Sequence, residues 1–94
     1  MSARIDKLRD AIQVTEKCRA THYASVPVRE MFGNEVAWEG VVEAFDLKGH
    51  PKTKRAYAWS YQGEKEEQFV VVLEIPPVDS PNTAVRASIA ARAR

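Results

Sequence analysis

Three segments of this chain read as β-strands with apolar side chains on both sides, and that pattern limits the fold more than any other feature. Over 36–47, Val36, Trp38, Gly40, Val42 and Ala44 share one face, while Val41, Phe45 and Leu47 lie on the other. Over 55–61, Tyr57, Trp59 and Tyr61 alternate with Ala56, Ala58 and Ser60. Over 68–75, Phe69, Val71, Leu73 and Ile75 alternate with Val70 and Val72. An antiparallel sheet with one wet face should instead alternate apolar with polar residues.

The flanking segments have helical character. Ile5, Leu8, Ala11, Ile12, Thr15 and Cys18 recur at helical spacing, which predicts a helix over 3–19. Ser2 suits its cap and Asp6 its first turn, with Lys17 and Arg19 at its end. Pro76-Pro77 closes the last strand. Ser80 and Pro81 then give the cap and first residue of a second helix, with Val85, Ser88 and Ile89 as its stripe and Arg86, Arg92 and Arg94 in water.

A further strand is predicted over 22–32, where Pro27 favours a sheet edge. Gly33-Asn34 marks a hairpin. A two-residue loop would mix apolar and charged residues on one face. A three-residue loop, 33–35, pairs Phe32 with Val36, Val26 with Val42 and Arg29 with Glu39, and is the version expected.

The expected fold is a single α+β domain over residues 1–94. It is a four-stranded antiparallel meander in the order α-β-β-β-β-α, with the N-terminal and C-terminal helices packed on one face. Two short helices on one face would leave the other face apolar and exposed. A second copy of the chain is the expected cover, making a homodimer. Tyr57, Trp59, Tyr61 and Val70 would line that contact or a ligand-binding surface.

Fourteen basic and thirteen acidic residues leave a net charge of +1, so no overall field draws in nucleic acid. The single cysteine, Cys18, excludes an internal disulfide and fits a reducing cytoplasm. No apolar run approaches the ~18 residues of a membrane span, and the charged start lacks a signal-peptide pattern. A membrane partner is not expected.

Chemistry-bearing residues are few. Lys48, His50, Lys52, Lys54 and Arg55 surround Gly49 in one loop, the composition of an anion or phosphate site, but without the glycine spacing of a P-loop. Solvated turn residues explain the same loop more simply. Glu30 faces inward opposite Trp38 in the expected register, where burial would raise its pKa and suit it to acid–base work. Its place near a hairpin end favours a solvated carboxylate instead. Cys18 and His22 straddle a helix end, and cysteine on an apolar stripe is usually inert. Two histidines and one cysteine form no dense metal-ligand cluster. Tyr57, Trp59 and Tyr61 beside the basic loop would suit single-stranded nucleic acid, although core or interface aromatics fit the near-neutral charge better. No catalytic residue, metal or cofactor is assigned.

The stretch Trp38-Glu39-Gly40-Val41-Val42-Glu43-Ala44-Phe45-Asp46-Leu47, with Gly49-His50-Pro51-Lys52 and Arg55-Ala56-Tyr57-Ala58-Trp59, resembles short bacterial proteins of the mobile gene-cassette (integron cassette) type. The resemblance spans roughly residues 21–90 and implies a bacterial cytoplasmic protein. It carries over no activity, ligand or functional residue. The expected role is that of a non-enzymatic, self-associating domain that binds a partner protein or small ligand. An anion- or nucleic-acid-binding module built on the loop 48–55 comes next. A small enzyme using Glu30 or His50 at a subunit boundary comes third.

Overall fold

A computed structural model describes residues 3–92, and Ser2, Arg94 and the side chain of Arg92 lie outside the described residues. Among the described residues the order is α1 (Ala3–Glu16), β1 (Arg19–Phe32), β2 (Glu35–Lys48), β3 (Arg55–Gln62), β4 (Glu67–Leu73) and α2 (Pro81–Arg92). The strands form one antiparallel sheet in the order β1-β2-β3-β4, the expected α+β meander.

The helices do not share a face. Leu8 and Ile12 of α1 pack with Ala20, Phe45, Leu47, Ala56 and Ala58. Ala84 and Val85 of α2 pack with Val28, Val42, Ala44, Tyr57, Trp59 and Val78. The residues that each helix takes from β2, β3 and β4 alternate in sequence, so the helices cover opposite sides of the sheet. This corrects the one-face arrangement and explains the apolar strands. Each side of the central strands meets a helix of the same chain.

α1 stops earlier than its apolar stripe suggests. Lys17 has φ 53°, the left-handed conformation that ends many helices. Lys17 and Arg19 therefore lie beyond the helix, and β1 begins at Arg19. α2 starts as its sequence dictates. The Thr83 amide donates to the Ser80 hydroxyl at 3.2 Å, and the Ser80 amide donates to Thr83 Oγ1 at 2.9 Å, a reciprocal cap.

Two irregularities shape the β1–β2 hairpin. The first falls at Tyr23, between the pairs His22–Phe45 and Ala24–Ala44. It lets Ala20 face α1 while Ala24, Val26 and Val28 face α2, although all four have the same sequence parity. The second falls at Ala37, between Glu30–Trp38 and Met31–Val36. The loop is consequently the two-residue Gly33-Asn34, with Phe32 opposite Glu35 and Gly33 at φ 63°. The expected pairs Val26–Val42 and Arg29–Glu39 are present, and the expected Phe32–Val36 pair is not. The extra residue at Ala37 absorbs the difference.

Candidate interaction surface

β1 and β2 pair along their whole length, but β2 pairs with β3 only from Glu43 to Asp46. The distal half of the hairpin is therefore an arm extending past β3. One side of the arm is sheltered by α2. Val26, Val28 and Trp38 pack there, and Trp38 meets Trp59 edge-on at 5.5 Å between ring centres. Gly40 makes room for the Trp38 indole, since a Cβ at that position would lie 3.0 Å from the ring.

Register and alternation place three cross-strand pairs on the other side: Pro27–Val41, Arg29–Glu39 and Met31–Val36. Arg29 and Glu39 form an ion pair at 2.7 Å. Met31, Val36 and Val41 are 52%, 49% and 39% exposed, and Phe32 at the tip is 82% exposed. The result is a ribbon face with an apolar pair, a charge pair and a second apolar pair in sequence. From α1, the Arg4 guanidinium donates to the Val41 carbonyl at 3.1 Å.

At the base of the arm, on the α1 side, Glu43 is 2% exposed. Arg4 reaches one carboxylate oxygen at 2.6 Å, His22 Nε2 lies 2.8 Å from the other, and the Ser25 hydroxyl donates to that same oxygen. Burial alone would raise the Glu43 pKa, but hydrogen bonds from Ser25, His22 and Arg4 outweigh it and hold the group below its ordinary value. Serine, histidine and a carboxylate do not form a relay here. The His22 nitrogen that donates to Glu43 cannot also take a proton from Ser25. The cluster ties α1 to the sheet.

The residues singled out from sequence are dispersed. Tyr57 and Trp59 are 1% and 3% exposed, inside the α2-side core, and Val70 packs against that core. They cannot line an open contact surface, because α2 already occupies it. Tyr61 is half-exposed near the end of β3. The Tyr57 hydroxyl donates to Glu74, and burial together with that bond pushes its pKa well above the ordinary value.

Lys48, Lys52 and Lys54 are exposed, but His50 is turned inward. Its Nδ1 accepts the amides of Lys52 and Thr53 at 3.0 and 3.3 Å, so Nε2 carries the hydrogen that Glu16 accepts at 3.1 Å. His50 thus scaffolds its own loop. The Arg55 guanidinium lies 4.5 Å over the Tyr23 ring, beside Asp46.

Glu30 does face inward opposite Trp38, but its pKa is lowered, which overturns the alternative of a buried acid–base carboxylate. Hydrogen bonds from Arg86 and Asn82 of α2, at 2.6 and 3.3 Å, lower it, and the carboxylate fastens α2 to the arm. Cys18 packs against the α1-side core, and burial followed by the nearby Glu16 raises its pKa. Among the described residues no group of three or more His, Cys, Asp or Glu side chains could hold a metal ion. No helix there is long and apolar enough to cross a membrane.

Sequence reasoning missed the Glu43 cluster and the outer arm face. A lone glutamate between Val42 and Ala44 was the available signal for the first. Val41, on the face opposite Trp38, was part of the signal for the second. Compared with family models, curated proteins and solved structures, the chain matches none.

Proposed function

We propose that this chain is a non-enzymatic interaction domain that self-associates through the outer face of its β1–β2 arm. The observation that carries this reading is the order of the three cross-strand pairs on that face. Turned about a two-fold axis that lies between the two faces and runs along the strands, each apolar pair of one copy meets the same pair of the other. Each Arg29 then approaches the Glu39 of the second copy. Apolar surface meets apolar surface and unlike charges meet, as an isologous contact requires.

An isolated two-stranded ribbon is marginal in water, so a cover for its open side adds stability. Three cross-strand pairs supply far fewer than the roughly 20–30 residues a side of a standard interface, which implies a weak, reversible dimer. A bacterial cytoplasmic setting and an integron-cassette origin belong to this reading, supported by the single cysteine and by the resemblance over 38–59.

Light scattering and sedimentation between ~10 μM and ~1 mM test it. The average mass should climb from monomer toward dimer with concentration. Val41→Lys should weaken the dimer at least about tenfold, equivalent to ~1.4 kcal/mol, with an unchanged circular dichroism spectrum. A constant monomer mass across the range overturns the proposal.

A further inference from the structure

The far edge of the sheet carries a separate feature. β4 is an edge strand, and Glu67–Leu73 pairs continuously with Gln62–Ala56 on its inner side, without a bulge. Its sequence, Glu-Gln-Phe-Val-Val-Val-Leu, contains no lysine or proline. Proteins blunt exposed edges with lysine, proline, bulges or covering loops, and β4 uses none of the first three. Its outward amides and carbonyls are placed to accept another strand.

Alongside this edge runs an open groove of about 550 Å³, lined by Lys7, Asp10, Ala11 and Val14 of α1 and by Glu66, Glu67 and Phe69. The α1 residues follow the i, i+3, i+4, i+7 spacing of one helical stripe, beside the stripe that enters the core. Val14 and Phe69 are 77% and 40% exposed, so the groove has an apolar floor in contact with water. Its rim carries Asp10, Glu66 and Glu67 against Lys7.

We infer that β4 and this groove bind an extended, basic peptide segment by strand addition. The peptide backbone pairs with the free edge of β4. Alternate side chains point to opposite sides of the enlarged sheet. An apolar residue therefore enters between Val14 and Phe69, and lysines or arginines two residues to either side of it, on the same face, meet the acidic rim. A second copy of the chain is a poorer occupant. Added antiparallel about Val70, it would set Glu66 against Glu74 of the other copy, a like-charge pair.

The test titrates the full chain, labelled with ¹⁵N, with a short synthetic lysine–valine peptide in which one face carries lysine, valine and lysine in turn and threonine fills the positions between. The expected result is saturable amide shifts confined to Glu67–Leu73 and Lys7–Val14, with slowed hydrogen exchange along β4. Val14→Lys, at a position already in water, should weaken the peptide about tenfold and leave the free spectrum otherwise unchanged. A matching glutamate–valine peptide, and a lysine–valine peptide interrupted by proline, should fail to bind. Equal binding of the acidic peptide, shifts confined to Pro27–Val41, or no shift at millimolar peptide overturns the inference. Self-pairing through β4 in place of peptide binding overturns it as well.

Discussion

Glu43 sits between Val42 and Ala44 on a strand buried on both sides, and three side chains converge on its carboxylate. Its pKa lies below that of the unfolded chain. The ionised cluster therefore contributes stability above about pH 4.3, and that contribution is lost as pH falls through the lowered folded value. Glu43→Gln keeps the shape but removes the charge that Arg4, His22 and Ser25 share. It should cost about 1–3 kcal/mol at neutral pH, measured by urea unfolding. The gap between wild type and variant should narrow as pH drops below the carboxylate range. A gap that stays constant down to pH ~2 would mean that Glu43 is not ionised in the fold. Glu30 shows the limit of reading pKa from sequence. Its inward direction was legible, but its bond to Arg86, 56 residues away, was not, and that bond lowers a pKa that burial alone would raise.

The elements divide by how local their determinants are. α2 was legible to the residue because Ser80 and Pro81 act within one turn. Ser80→Ala should remove about 1 kcal/mol, read from the thermal midpoint, whereas an unchanged midpoint would show that Thr83 alone holds the cap. The end of α1 was less legible, since Lys17 takes a left-handed conformation that glycine or asparagine would have announced. Most of the β1–β2 register could be read because Arg29–Glu39 and Val26–Val42 favour one alignment. The bulges at Tyr23 and Ala37 could not, because neither residue type signals an extra residue in a strand. The loop length was misjudged for that reason, while the register nearer the core held.

At the scale of the molecule, the excess of apolar strand surface was visible in the sequence, but its cover was assigned to a second chain. Nothing local in 74–80 states which side of the sheet the chain takes before α2. With the helices on opposite sides, β3 becomes the wall between two clusters, giving Ala56 and Ala58 to one and Tyr57 and Trp59 to the other. A wall built from adjacent residues of one strand cannot loosen on one side alone, so the clusters should melt together. Ile12→Ala, in the α1-side cluster at 0% exposure, tests this. The truncation should cost about 2–5 kcal/mol. Both tryptophans report on the other cluster, to which Trp38 and Trp59 belong. In Ile12→Ala the tryptophan fluorescence transition and the far-ultraviolet circular dichroism transition should shift to lower denaturant by the same amount and remain superimposed. If fluorescence kept its wild-type midpoint while ellipticity fell earlier, the two sides of the sheet would be separate folding units and β3 would not couple them.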